Sequence, residues 1–239
     1  IELLYLILMF ITLLLTEEIF HCYPRFSLAF FSTVSFILFP CWVLLIGVPD
    51  WFPWLKVFSI ALGIIALSIF RTTKLGDTKL CRVTVYVFLV VNILEAVLKD
   101  AVIGDIANYL NALAGLLLIV SLGKINTIYI NAKDEYKDLH WGDMTLLWIV
   151  GYTLWNWVFV YLNFGYESSV QHIAVLGAAL VIALFKRGRW LQARVFTLGT
   201  YFIVIHSAPH LSNYGLITRE YSNNFGLLMA LLSFVFMVV

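Results

Sequence analysis

Apolar runs long enough to cross a bilayer recur along this chain with little between them. They occupy residues 2–20, 26–48, 52–70, 83–102, 105–123, 143–163, 168–186, 190–208 and 224–239, each near the roughly 20 residues that a spanning helix takes. The breaks carry turn chemistry: Tyr23-Pro24-Arg25, Val48-Pro49-Asp50, the polar stretch Arg71 to Arg82, Gly104-Asp105, Gly165, Lys186 to Arg189, and Pro209. Backbone polar groups in lipid must be satisfied within the segment, so each run is predicted as a helix and not an open strand. The pattern predicts an all-α fold, a polytopic integral membrane bundle of about nine transmembrane helices, as a single domain over residues 1–239. Around residues 99–106 the fourth and fifth helices are close enough to meet in a re-entrant turn.

Composition agrees. The 239 residues are 62% hydrophobic and 12% charged, against about 25% charged in soluble proteins. Nine spans leave no room for a soluble catalytic domain, so any chemistry belongs to the helices and their rims. The sequence opens on Ile1, so a preceding stretch is expected. The first run ends in Glu17-Glu18 and Tyr23-Pro24 without the small-residue site of a cleaved leader.

Alternating nine crossings sorts the basic residues sharply. Arg25, Arg71, Lys74, Lys79, Arg82, Lys124, Lys133, Lys137, Lys186, Arg187, Arg189 and Arg194 fall on one face, and only Lys56, Lys99 and Arg219 on the other. By the positive-inside rule the rich face is cytoplasmic, placing the N-terminus outside and the C-terminus inside. The other face is acidic, with Glu2, Asp50, Glu95, Asp100, Asp105, Glu167 and Glu220. This either concentrates cations at the outer mouth or is simply what the rule leaves behind. No Asn-x-Ser/Thr sequon occurs, in keeping with a bacterial cytoplasmic (inner) membrane.

Tryptophans and tyrosines near the predicted interfaces, among them Trp51, Trp54, Trp141, Tyr166, Trp190 and Tyr214, read as interfacial anchors. Cys22, Cys41 and Cys81 form neither a disulfide framework nor a CxxC metal motif. The inner connection Lys124 to Asp143 alternates apolar and charged residues, and reads as a short amphipathic helix in the headgroup layer or a solvated loop. The outer connection Pro209 to Asn223 is a lid or a plain turn. Glu17-Glu18 near His21 is either the inner end of a conduction route or a solvated helix end.

Polar groups inside the hydrocarbon are expensive and mark function. Asn92, Glu95 and Lys99 share one face of helix four, and Asp100 lies about 100° round from it. Asn108, Asn111 and Gly115 form a stripe on helix five, and Tyr152, Asn156 and Asn163 one on helix six. The asparagines serve either as interhelical glue or as the lining of a site. Glu95 either pairs with Lys99 or binds a cation or proton. These residues point to a small transporter or channel for a cation or small polar solute, with Glu95 as principal charged group and Asn92, Lys99, Asp100, Asn108, Asn111, Tyr152 and Asn156 around it. No cofactor is required on that reading. The expected partners are the lipid bilayer and the small ion or polar solute, with a homo-oligomer left open and no nucleic acid.

His172, His206 and His210 lie at about the depth of Glu95, and three imidazoles with a carboxylate suit tetrahedral zinc. Ser168-Ser169-Val170-Gln171-His172 and His206-Ser207-Ala208-Pro209-His210 resemble the SxxxH and HxxxH elements of the membrane-embedded zinc hydrolase superfamily that includes alkaline ceramidases and adiponectin-type receptors. The resemblance implies three histidines holding zinc and a hydrolase acting on a lipid-like substrate. The chain departs from that pattern in lacking an aspartate between the elements, in placing them on adjacent helices, and in its nine runs. A non-catalytic membrane assembly subunit is the third class.

Overall fold

The structure, a computed structural model, describes residues 2–46, 51–131, 133–208 and 221–238. It is all-α, with 86% of the chain helical. Every predicted apolar run is a helix: α1 Glu2–Cys22, α2 Pro24–Ile46, α3 Trp51–Thr72, α4 Lys79–Ile103, α5 Ile106–Val120, α6 Leu146–Phe185, α7 Trp190–Ser207 and α8 Asn223–Val238. Five of these, α1, α2, α3, α4 and α6, are long and apolar enough to cross a membrane. Of these, α1, α2 and α6 carry Leu3, Leu8, Leu15, Phe36, Leu44 and Phe185 exposed, which is compatible with hydrocarbon as their solvent.

Local chemistry sets the ends. Thr78 caps α4 by accepting from Cys81 N, and Thr145 caps α6 by accepting from Trp148 N at 3.1 Å. Between α4 and α5 the turn is a tight one, with Gly104 in the left-handed region and its N–H donating to Asp100 O at 3.2 Å.

Gly165 divides α6. Its φ of 80° and ψ of −173° lie in a region open essentially to glycine alone. The chain reverses there: Trp157 Nε1 donates to Ser169 O at 2.9 Å across 12 residues, whereas that length of unbroken helix would separate the two levels by about 18 Å. The two halves, 146–164 and 166–185, match the predicted runs at 143–163 and 168–186.

The connection from Lys124 to Asp143 is neither an amphipathic helix nor a solvated loop. It forms an antiparallel hairpin of β1 Ile128–Ile130 and β2 Leu139–Trp141, in register Ile128↔Trp141 and Ile130↔Leu139. Alternation of period two, not 3.6, puts these four apolar side chains on the buried face. Trp141 and Trp190 are correspondingly core residues and not interfacial anchors, each 1% exposed. Trp190 packs edge-on against Trp148 and Tyr152 at 5.5 and 4.9 Å between centroids. A second aromatic cluster, Phe20, Phe31 and Phe196, joins α1, α2 and α7.

Candidate functional site

A cavity of about 260 Å³ lies between α3, α4, both halves of α6, and α7. Aromatic residues Phe52, Phe159, Phe164 and Phe202 form much of its wall. Its polar lining is Lys56, Asn92, Asn156, Ser168, His172, Tyr201, Arg194 and His206. A smaller cavity of about 70 Å³ shares Ile60, Asn92, Arg194 and Leu198 with it and continues to Phe70 and to Leu139 of the hairpin. Arg194 and Asn92 therefore stand where the two spaces meet.

The charged groups here are arranged asymmetrically. Lys56 Nζ lies 2.8 Å from Glu95 Oε2 and donates to Asn92 O at 2.8 Å, while Ser59 Oγ donates to the same Glu95 oxygen at 3.2 Å. Glu95 is thus the counter-ion of Lys56 from α3. Lys99, one turn further along α4, sits over the Phe52 ring at 5.6 Å. Arg194 Nη2 donates to Asn156 Oδ1 at 3.2 Å, but its Nε and Nη1 have no hydrogen-bond partner among the described residues.

Of the residues expected from the sequence, Asn92, Asn156, His172 and His206 line the larger cavity, and Tyr152 reaches Asn92 Oδ1 at 3.4 Å from the smaller one. His206 Nδ1 donates to Phe202 O at 2.8 Å, and His172 stacks edge-on to Tyr201 at 5.1 Å. His210 and most of the expected lid, 209–220, lie outside the described residues. Two groups of described side chains bring three metal-capable atoms within 4.8 Å of one another: Glu18, His21 and Cys22, and Asp134, Asp138 and His140.

Asp100, Asn108 and Asn111 form a separate constellation. The buried Asp100 carboxylate accepts from Asn108 Nδ2 at 2.8 Å and Asn163 Nδ2 at 2.7 Å on one oxygen, and from Asn111 Nδ2 at 2.8 Å on the other. Three amides from α5 and α6 thus close on one carboxylate of α4. Interhelical glue is the role this geometry gives them. Trp155 Nε1, donating to Asn111 O at 2.9 Å, holds the same junction.

At the opposite end, beneath the smaller cavity, is a buried ionic knot. Asp138, in the loop just before β2, accepts from His21 Nδ1 at 2.8 Å and Gln192 Nε2 at 2.7 Å. Arg189 reaches Glu17 at 3.1 Å and lies 3.6 Å from Asp138. Arg71 donates to the carbonyls of Phe20, His21, Tyr136 and Lys137, and lies 3.5 Å from Asp138. Arg189 Nη1 can only donate to His21 Nε2, 3.2 Å away, so His21 carries its hydrogen on Nδ1. Burial pushes the Asp138 carboxyl up, but the hydrogen bond from His21, the charge of Arg189 and the hydrogen bond from Gln192 outweigh it and hold it at about 2. Glu17 is part of this knot, not a solvated helix end, whereas Glu18 is exposed.

Lys56 and Arg194 are the site residues that sequence reasoning missed, because both were counted by side of the membrane. Their signal was depth: Arg194 lies inside the run 190–208, an ionisable group within a predicted span. Asp138 gave no comparable signal in a loop already rich in charge.

Comparison with curated proteins and with solved structures returns no match. A match over residues 1–239, the whole sequence, does emerge with one protein family, and the chain belongs to that family of unknown function, DUF5692.

Proposed function

We propose that this chain is a small multi-pass membrane transporter or channel for a small polar solute, with the larger cavity as its binding site. On this reading the helices cross the bilayer nine times, with the N-terminus outside and the C-terminus in the cytoplasm of a bacterial cell. The larger cavity then faces outward, and the hairpin and ionic knot close the inner side. The observation that carries the proposal is that two largely apolar cavities, one toward each half of the bundle, have the polar side chains Asn92 and Arg194 in common. Polar surface at membrane depth is expensive unless it serves a pathway.

Cysteine accessibility tests the pathway. In a background with Cys22, Cys41 and Cys81 replaced, Ile205→Cys should react with a membrane-impermeant thiol reagent from outside, and Val85→Cys from inside. Protection of both positions from both sides would sink the transport reading. Glu95→Gln separates the two kinds of solute: a route for cations loses flux, and a route for anions keeps it.

One observation favours a second reading. His172 and His206 line the same cavity, as a zinc-dependent intramembrane hydrolase would require. The only formally charged groups lining that cavity among the described residues are Lys56 and Arg194; Lys56 is paired with Glu95, and the remaining charge of Arg194 opposes a divalent metal, which sets this reading second. Metal content by mass spectrometry decides it: about one zinc per chain, lost in His206→Ala, would replace transport by hydrolysis. An assembly subunit, the third class, would instead copurify with a partner on one lateral face.

A further inference from the structure

We infer that the solute carries an anionic group, a carboxylate or a phosphate, and that Arg194 is the residue that binds it. The inference rests on the cavity proposed above as the binding site and adds the chemical class of its ligand. Arg194 is 4% exposed, so its guanidinium is buried within the bundle. Two of its nitrogens, Nε and Nη1, lack partners among the described residues. The other deeply buried guanidiniums among the described residues are compensated: Arg189 has Glu17 and Asp138, and Arg71 has four carbonyls and Asp138. Arg194 has one neutral amide oxygen, that of Asn156.

A buried charge without its opposite is strongly unfavourable. A ligand anion relieves that cost on binding, and the relief becomes affinity. The second cation of the wall, Lys56, is already neutralised by Glu95, so the cavity has room for one negative charge beside Arg194. No carboxylate lines it among the described residues. The space of about 260 Å³ is several times the ~30 Å³ that a water takes in the liquid, which suits an organic anion or a phosphate group.

The anion has two possible sources, a soluble solute or a lipid headgroup. A third cavity, apolar and lined by α2, α3 and α7, shares Ile60 and Phe202 with the binding cavity, so apolar space for an acyl chain lies beside it. The experiment has one arm for each. Thermal unfolding of the purified protein is followed in detergent with inorganic phosphate and with succinate, and in nanodiscs of phosphatidylglycerol against phosphatidylcholine. Stabilisation by phosphate or succinate identifies a soluble anion; stabilisation by phosphatidylglycerol alone identifies a headgroup. Arg194→Gln should weaken the effective probe about tenfold or more, the scale of a charge-assisted hydrogen bond lost in a buried site. Arg194→Lys, which keeps the charge, should recover part of it.

Asn156→Asp supplies a counter-ion from within and serves if Arg194→Gln does not fold. This variant should unfold at a higher temperature than wild type without any ligand, and should no longer respond to the anion. The inference is overturned if no probe stabilises the wild type, if Arg194→Gln responds as the wild type does, or if Asn156→Asp melts at or below wild type. Failure of the two proposals is distinguishable. Wild-type flux in Arg194→Gln would remove the anion and leave transport standing, whereas anion binding with both engineered cysteines protected would remove transport and leave the anion.

Discussion

Asp138 and His21, separated by 117 positions in the sequence, share a hydrogen bond of 2.8 Å at the hairpin end of the bundle. Around that bond the charges balance: Glu17 and Asp138 against Arg71 and Arg189. Removing one carboxylate leaves two guanidiniums competing for the other. Asp138→Asn should therefore destabilise the protein by about 3–5 kcal/mol, measured as the loss of thermal stability in detergent. A loss below about 1 kcal/mol would mean that water already reaches the knot.

Acid should dismantle the same region in two steps. Burial lowers the His140 imidazole below its ordinary 6.5, so the folded state resists a proton that the unfolded chain accepts, and stability starts to fall as pH drops below about 6.5. Asp138 is held at about 2 against an ordinary 3.8. Its contribution is complete above the ordinary value and is lost as pH falls through the folded one. Melting curves from pH 7 down to pH 2 should show both slopes, with His140→Gln removing the first alone. A flat profile across that range would contradict the burial of His140.

Asp100 and its three amides should behave as structure. Asp100→Asn turns one accepting oxygen into a donor that faces a donor, at a cost of about 1–3 kcal/mol. Thermal stability should drop by that amount while the anion response at Arg194 persists in the folded fraction. A variant that keeps its stability but loses flux would return Asp100 to the pathway.

Gly165→Ala tests the reversal in α6. A Cβ at that position meets nothing within 4 Å, so any penalty comes from the backbone alone, and the φ of 80° with ψ of −173° sets it at about 1–3 kcal/mol. The measurement is again thermal unfolding, and an unchanged midpoint would show that the chain turns by other means.

Much of this architecture is written in the apolar pattern, because hydrocarbon penalises every unsatisfied backbone group and so fixes where helices must run. Even the reversal was visible, as a lone glycine between two runs. The side-chain geometry was legible only where helical periodicity carries it. Asp100, about 140° round from Glu95, does go to different partners: Glu95 faces Lys56 of α3 and Asp100 faces the asparagines. What periodicity cannot supply is which helices face each other. Lys56 as the partner of Glu95, and Arg194 as a cation without one, are facts of packing between segments far apart in the chain. The hairpin was misread because its alternation has period two in a stretch too short to tell from a half-turn of helix.

The knot also has a consequence in time. Glu17 waits for Arg189, which lies 172 residues later in the chain. At the usual 5–20 residues per second of synthesis the interval is about 9 to 35 s. Throughout it the end of α1 is already made while its guanidinium partner is still unmade. The early helices must tolerate a carboxylate that nothing yet neutralises, and the emergence of the turn before α7 is the event that locks them together. A ribosome stalled before that turn should hold a chain whose hairpin end is still loose and open to protease.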